Sequence, residues 1–348
     1  MAGTWTSQNK ILPGAYVNFL TNTALSITPG ERGMVVLLQE MSAGNAGDLY
    51  GITVADASEY PDGTTDADKL LVNEALKGAQ KVIIYNLGTS HTSEVLTTAL
   101  AILKTIKFNT LCYPYDAATY SENQVTIATW IKNMRTDEGI KAQAVLANYE
   151  ADNEAIINVT QGIKLSNGIT LTAAQVTAWV AGVTSGANIN KSNTGQSYAD
   201  AIDVVPRMTK SEMEAAVTAG EFIFKVDSAQ NVTAVYDINS LTTYTMDKSK
   251  LFRKNRVIRT IDGINNDIVE IFESNYLGKT NNNTDGRALL RATLISYFNE
   301  LQAMAAIQSF TADDVTISAG TDSDAVVIDC YIQPADSVEK IYITVNLS

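Results

Sequence analysis

Strand-like and helix-like segments alternate between about residues 81 and 205, and this alternation constrains the fold more than any other feature of the sequence. Lys81–Leu87 is a short run of apolar and β-branched residues, and Ser93–Ile106 repeats its apolar residues with the spacing of a helix face. Parallel strands need a crossover connection long enough to hold a helix. We therefore predict a middle α/β domain with a mainly parallel sheet covered by helices. Further strands of this sheet are expected at residues 111–113, 142–147 and 156–160.

The sequence divides around this region into five segments. Three predicted helices begin with the capping-box pattern, Ser or Thr followed three residues later by Gln or Glu, at Ser121, Thr172 and Thr209. After about residue 246 two long amphipathic segments precede short strands, which indicates a separate α+β domain, and Thr284 or Asp285 is expected to cap its last helix. We predict an N-terminal arm at 1–27, a small N-terminal α/β or β-rich domain at 28–90, the middle α/β domain at 91–245, the C-terminal α+β domain at 246–340 and a C-terminal strand arm at 341–348.

The sequence has few chemically reactive side chains. One His and two Cys among 348 residues exclude a His-rich metal site, a Cys-based zinc ribbon and a disulfide scaffold. His91 lies just before a predicted helix, without a G-x-S-x-G nucleophile elbow, and we interpret it as solvated or capping. Gly278-Lys279-Thr280 resembles the end of a phosphate-binding loop, but Glu273 stands where that loop needs a Gly. We therefore expect no catalytic residues, no cofactor and no metal ion.

The net charge is unevenly distributed along the chain. The whole chain carries −13, yet the run from Lys248 to Arg259 contains six cations and no acid, so the remainder carries −19. A chain this acidic is not expected to bind nucleic acid, because phosphate neutralisation needs clustered cations. The first ten residues lack the pattern of a secretory leader, and no apolar run approaches the length of a membrane span, so membrane insertion is not expected. We interpret the basic run as a patch that pairs with acidic surfaces of another copy or another protein. A solvated helix face is the alternative.

Both ends of the sequence have a strand pattern without a local partner. A lone strand exposes unpaired N–H and C=O groups, which monomeric proteins usually protect with Lys, Pro or short length. Pairing with neighbouring copies would satisfy these groups, and such a head-to-tail contact builds rings or open helices. Pairing of both ends within the same chain is the alternative. The residues concerned are Ala15, Tyr16, Val17, Asn18 and Phe19 near the N-terminus and Ile341, Tyr342, Ile343, Thr344 and Val345 near the C-terminus.

Several runs of residues together carry a resemblance to a known family. They are Leu12–Phe19, Phe252–Thr260, Asn265–Val269, Tyr276–Lys279, Asp285–Arg287, Asn299–Gln302, Ala306–Phe310, Gln333–Pro334 and Lys340–Val345. In these runs the sequence resembles contractile tail sheath proteins of bacteriophages and phage-tail-like particles, above all the short sheaths of Gram-positive phages and defective prophages. The likeness is strong near both ends of the chain and extends to the overall layout between them.

The resemblance implies a structural role and a set of partners. Sheath subunits stack as six-fold rings around an inner tail tube, exchange strand arms with neighbouring copies, and contract to drive the tube through the target envelope. The implied partners are further copies of the chain, the tail tube protein, and baseplate and tail terminator proteins, with assembly in the host bacterial cytoplasm into a virion or phage-tail-like particle. An oligomeric α/β hydrolase-like enzyme is the competing interpretation, and a tail-tube or capsid protein is disfavoured by the two strand-like termini. Carried onto this sequence, the arms lie at Gly3–Leu20 and Ile341–Leu347, and the tube or intersubunit charge contacts are Lys250, Arg253, Lys254, Arg256, Arg259, Arg287 and Arg291.

Overall fold

The computed structural model of the chain describes residues 32–55 and 57–346. These residues form an α/β domain followed by a smaller α+β domain. The α/β domain contains helices α1 (Asp66–Leu76), α2 (Ser93–Leu103), α3 (Ser121–Thr136), α4 (Ala173–Gly186) and α5 (Lys210–Thr218), and strands β1 (Met34–Gln39), β2 (Leu49–Ile52), β3 (Lys81–Asn86), β4 (Thr110–Cys112), β5 (Gln143–Ala147), β6 (Ile156–Val159), β7 (Gly162–Leu165), β8 (Thr170–Leu171), β9 (Ala201–Val205), β10 (Glu221–Phe222), β11 (Phe224–Val226) and β12 (Val232–Ala234). The α+β domain contains α6 (Asn255–Ile271), α7 (Thr284–Ala303), β13 (Ile307–Gln308), β14 (Val315–Ala319), β15 (Val326–Cys330) and β16 (Gln333–Pro334).

Seven strands of the α/β domain form one sheet in the order β10-β6-β5-β4-β1-β3-β2. Every neighbouring pair runs parallel except β2 and β3. Strand β1 is apolar from Met34 to Leu38 because both of its faces are covered. Val35 and Leu37 pack in the core that contains Trp179 of α4, whereas Val36 and Leu38 pack in the opposite core, beneath α2 and α3. The predicted parallel α/β arrangement is confirmed.

This sheet crosses the domain boundary expected between residues 90 and 91. Strand β1 pairs with β3 on one side, through Val35 and Val82, and with β4 on the other, through Val35 and Thr110. Segments 28–90 and 91–245 therefore contribute to one continuous sheet. The small sheet β8-β7-β9 and the hairpin β11-β12 extend the core on the α1 and α4 side.

The α+β domain is built on the amphipathic helix α7, whose predicted apolar stripe is buried. Leu294, Tyr297 and Leu301 of this helix pack with Ile264 of α6 and with Phe310. Two short antiparallel pairs, β13 with β16 and β14 with β15, complete the domain. In the described ranges 32–55 and 57–346, no helix combines the length and the hydropathy needed to cross a membrane.

Two of the three predicted capping boxes are present. The hydroxyls of Thr172 and Thr209 each accept a hydrogen bond from the backbone N–H three residues later. The side chains of Gln175 and Glu212 in turn accept hydrogen bonds from the backbone N–H groups of Thr172 and Thr209. The third prediction is wrong, because a 3₁₀ turn precedes α3 and makes Ser121 its first helical residue.

The predicted cap of α7 is also wrong by one residue. Asn283 caps this helix, with its Oδ1 accepting the N–H of Gly286 over 2.8 Å, whereas Thr284 and Asp285 lie inside the first turn. Asn and Thr are both good caps, so sequence alone left the choice open.

Candidate functional site: the basic segment and the root of the C-terminal tail

The basic run forms part of the junction between the two domains. A 3₁₀ turn, Lys250–Arg253, leads directly into α6. Its three arginines point into the protein: Arg253, Arg256 and Arg259 are 9%, 7% and 1% exposed. A buried guanidinium is tolerated only where carbonyl or carboxylate oxygens surround it. The partners of these cations therefore show what the basic run does.

Arg259 binds groups within its own subunit. Its Nε donates to the carbonyl of Thr184 over 3.1 Å, its Nη1 donates to the carbonyl of Lys191 over 2.6 Å, and its Nη2 lies 3.5 Å from Oδ2 of Asp237. Burial lowers the pKa of Arg259, and the Asp237 carboxylate opposes this effect. The charge of Arg259 is enclosed and its donors are occupied within the subunit, so Arg259 is not among the charge contacts that we propose below.

Lys254 binds the residues just before the C-terminal tail. We call residues 335–339 the tail root and residues 341–346 the tail. The Nζ of Lys254 pairs with the carboxylate of Glu339 and lies 3.3 Å from Oδ2 of Asp336, and it stands 4.4 Å from the ring centre of Tyr236. Burial alone would lower the pKa of Lys254, but Glu339 and Tyr236 raise it to about 12. Lys254 is therefore a charged cation at neutral pH, and its ammonium group is paired with carboxylates of the tail root.

Glu339 is held from a second direction by the α/β domain. The hydroxyls of Ser192 and Thr194 both donate to its Oε1, over 3.0 and 2.7 Å. The Glu339 side chain is only 6% exposed. Thr194 Oγ1 also accepts the N–H of Asp237 over 3.0 Å. Glu339 is thus connected through Thr194 to the buried pair of Arg259 and Asp237.

Arg256 and the backbone fix the rest of the tail root. Arg256 donates through Nη1 to Ser337 Oγ over 2.6 Å and through Nη2 to the carbonyl of Ala305 over 3.0 Å. The N–H of Ala335 donates to the carbonyl of Ala306 over 2.9 Å, continuing the short ladder between β13 and β16. The tail root is therefore fixed by contacts at both of its ends and at Ser337 between them.

The tail beyond this root is exposed. Ile341, Tyr342, Ile343 and Val345 are 73%, 91%, 79% and 75% exposed. Within the described part of the chain, residues 341–346 belong to no strand and make no hydrogen bond. The alternative that this end pairs within its own chain therefore finds no support among the described residues. The N-terminal arm, with Ala15, Tyr16, Val17, Asn18 and Phe19, lies outside the described residues.

The other predicted charge contacts differ in their exposure and in the hydrogen bonds that they make within the subunit. Lys250 is exposed and has no ion pair among the described residues. Arg253 is buried and donates through Nη1 to the hydroxyl of Tyr244 over 3.4 Å, so it is not among the charge contacts that we propose below. Arg287 donates to Oδ1 of Asn282 over 2.9 Å. Arg291 is half-buried and donates to the carbonyls of Val315 and Ala312, which holds the start of β14 against α7.

Sequence profiles of tail sheath domains match most of the described length of the chain. They are described as "Tail sheath protein Gp18 domain III N-terminal region" at residues 32–87, "Phage tail sheath protein central domain" at residues 89–240 and "Phage tail sheath C-terminal domain" at residues 247–348. The tail sheath protein of Clostridium phage phiCD119 is 35% identical over 254 residues, which cover 72% of this chain and 67% of that protein. The chain belongs to the phage tail sheath protein family.

Three further relatives differ in how much of their length, sequence and fold they share with the chain. The phage-like element PBSX protein XkdK of Bacillus subtilis is 35% identical over 260 residues, 72% of this chain and 55% of XkdK, so the chain spans about half the length of that relative. The crystal structure of the sheath tail protein of Desulfitobacterium hafniense has a TM-score of 0.82 at 34% identity, covering 95% of this chain and 99% of that one. The helical sheath of the anti-feeding prophage in its contracted state shares the fold, with a TM-score of 0.75 at 14% identity over 97% of this chain and 99% of that one.

Among the described residues, the longer of the two small sheets in the α+β domain, β14-β15, has two unpaired edges. Strands β14 and β15 pair only with each other. Val327 and Tyr331, in or just after β15, are 48% and 72% exposed. A free sheet edge offers unpaired N–H and C=O groups to an added strand.

A buried polar cluster surrounds His91, and no sequence pattern predicts it. His91 Nδ1 lies 2.7 Å from Oε1 of Glu40, its Nε2 lies 2.7 Å from the hydroxyl of Tyr113, and its ring stacks on Tyr120 at 4.7 Å. The interpretation of His91 as solvated or capping is wrong, since Thr92 caps α2. The partners Glu40 and Tyr113 are 51 and 22 residues away in sequence, so no local pattern marks them. In the described part of the sheath chain, no three His, Cys, Asp or Glu side chains are placed to hold a metal ion.

Proposed function

We propose that this chain is a structural subunit of a contractile tail sheath. In this proposal, copies polymerise as stacked six-fold rings around an inner tail tube and then shorten, which drives the tube through a target envelope. The family and the solved sheath structures support a structural role, and the α/β hydrolase-like alternative has no support among these relatives. The partners in the proposal are other copies, the tube, the baseplate and the tail terminator. Nucleic acid is not a partner in this proposal, the subunit is not an enzyme, and assembly takes place in the host cytoplasm.

The observation that carries the proposal is the exposed tail. Ile341, Ile343 and Val345 alternate with Tyr342 and Thr344, so an extended tail has one strongly apolar face. Burying a side chain of this kind stabilises an assembly by roughly 1.5–3 kcal/mol. A single subunit leaves these residues in water, and a neighbouring copy would bury them.

We propose the hairpin β14–β15 of a neighbouring copy as the acceptor of the tail. Its edges are unpaired among the described residues, and β-strand addition gives affinity through main-chain hydrogen bonds and specificity through alternate side chains. Each copy would then donate a tail and accept one, a head-to-tail contact that builds rings and helices. The segment Ala15–Phe19 is proposed as a second donated strand on the basis of its sequence pattern.

The proposal for charge contacts is narrower than the sequence suggested. We propose Lys250 and Arg287 as contacts to an acidic surface of the tube or of a neighbouring copy. Lys250 is exposed and without an ion pair in the described structure. Reversing its charge with Lys250→Glu should shorten or disorder extended sheaths in electron micrographs, and sheaths of normal length would remove Lys250 from the contact.

The tail proposal is tested by charging one face of the tail at a time. Ile343→Asp with Val345→Asp places two charges on the apolar face, and Thr344→Asp with Asn346→Asp places the same charges on the other face. The first variant should remain a folded monomer that forms no striated tubes in negative stain, because strand addition would bury its charges. The second should assemble. Tubes of normal length from the first variant would contradict strand donation by the tail.

A further inference from the structure

We infer that the basic segment is the anchor that sets the direction in which the C-terminal tail leaves the subunit. Lys254 and Arg256 hold Glu339 and Ser337 directly, and Arg259 supports them through Asp237. The inference rests on the proposed strand exchange, because the direction of the tail matters only if the tail serves a neighbour. It assigns to these cations a positioning role inside the subunit.

The first argument is the abrupt change at the end of the tail root. The Glu339 side chain is 6% exposed and receives hydrogen bonds from three different side chains. Two residues later, Ile341 is 73% exposed. Val338 is also exposed, at 85%, so the change lies in the hydrogen bonds: Glu339 receives three, and residues 341–346 make none among the described residues. Lys340 is therefore the point from which the tail departs.

The second argument is that both domains hold the same carboxylate. Ser192 and Thr194 belong to the loop that follows α4 in the α/β domain, whereas Lys254 directly precedes α6. The carboxylate of Glu339 can be satisfied in this way only when the two domains are docked. The direction of the tail is therefore set by the domain junction as well as by the α+β domain.

The third argument concerns the energy of burying the Glu339 carboxylate and of ordering the tail root. An acid enclosed to this degree is tolerated because a charged lysine and two hydroxyls satisfy it. Fixing the root before assembly removes conformational freedom in advance, so the neighbour does not have to pay for it with binding energy. A loose root should weaken assembly and leave the fold intact.

The test compares Glu339→Ala with Glu122→Ala, which removes the same group from an exposed position of α3. Spin labels at Lys340→Cys and at the exposed Lys210→Cys, with Cys330→Ser, report the direction of the tail in monomers through electron–electron distance measurements. The parent and the Glu122→Ala protein should show one narrow distance distribution, and Glu339→Ala a broad one. In sedimentation assays of unlabelled protein, Glu339→Ala should raise the critical concentration for sheath formation by about tenfold or more.

The isosteric variant Glu339→Gln keeps the test decisive if Glu339→Ala does not fold. It keeps an oxygen for Ser192 and Thr194 and removes only the charge, so it should shift both measurements in the same direction by a smaller amount. Unchanged distance distributions, or an unchanged critical concentration, in a folded Glu339→Ala protein would overturn the anchor.

Deletion of residues 342–348 separates the two proposals. If the deletion still assembles, strand donation fails; if it does not assemble but Glu339→Ala assembles like the parent, the anchor alone fails.

Discussion

Replacing one partner of the buried ion pair between Arg135 and Asp262 should destabilise the junction of the two domains severely. Arg135 at the end of α3 donates through Nη1 and Nη2 to the two carboxylate oxygens of Asp262 in α6, over 2.6 and 2.7 Å. Their side chains are 11% and 7% exposed. Burial opposes the charge on Arg135, but Asp262 outweighs it and holds the pKa of Arg135 above its ordinary value. Arg135 therefore keeps its charge inside the junction.

The expected cost follows from leaving one charge buried without its partner. Asp262→Ala should lower the free energy of unfolding by about 3–5 kcal/mol. Arg135→Met should cost somewhat less, because Arg32, which is buried nearby and interacts electrostatically with Asp262, still compensates the carboxylate. Arg135→Met combined with Asp262→Leu removes both charges and should lie within roughly 1–2 kcal/mol of the parent. The double variant should therefore be more stable than Asp262→Ala.

The assay is urea denaturation of the four proteins at neutral pH, followed by circular dichroism and by intrinsic fluorescence. The exposed pair Lys104 and Glu138, with 46% and 47% of their side chains exposed, is the matched control. Lys104→Met should change the free energy of unfolding by less than about 1 kcal/mol, because water screens that pair. A cost for Asp262→Ala no larger than that of Lys104→Met would refute the argument that this pair secures the junction.

Two further predictions concern pH and packing. Hydrogen bonds from the Thr243 side chain and neighbouring groups hold the pKa of Asp152 well below its usual range. The stabilisation that the Asp152 carboxylate gives the folded state is therefore present above about pH 4 and is lost as the pH falls. The Tm difference between the parent and Asp152→Asn should shrink between about pH 6 and pH 2. In α4, a Cβ on Gly182 would lie 2.1 Å from the carbonyl oxygen of Ala75, so Gly182→Ala should force α1 and α4 apart and cost about 1–3 kcal/mol in chemical denaturation. Gly263→Ala meets only a movable side-chain end at 2.9 Å and should cost less; an equal cost would contradict the packing argument.

Local patterns were sufficient to predict the elements, but not their order in the sheet. The apolar run of β1 and the stripe of α7 are buried as their periodicities predict, because each period fixes which side chains share a face. Strands on both sides of the boundary expected at residue 90 share one sheet because β4 pairs beside β1, with Val35 opposite Thr110. That pairing joins residues 75 positions apart, and neither strand carries a local mark of its partner.

The sequence indicated the tail but not the group that holds it. Alternation at Ile341, Ile343 and Val345 is visible without a structure, whereas Glu339 looks like any other acid near a chain end. Its role depends on Ser192 and Thr194, which lie 147 and 145 residues away. A polar group that is satisfied by distant partners leaves no periodic signal, so only the folded chain identifies it.

The same reasoning explains why the basic run resembles a surface patch when only its own residues are considered. Six cations without a neighbouring acid suggest unpaired charge, yet the rest of the chain carries −19 and supplies acids from other segments. Glu154 pairs with Lys248 over 2.6 Å, Asp237 with Arg259, and Glu339 with Lys254. A guanidinium or ammonium at a domain junction must find such partners, because burying it unpaired costs far more than the junction gains. A charge run in sequence therefore predicts an interface, and the fold decides whether that interface lies between proteins or between the domains of one subunit.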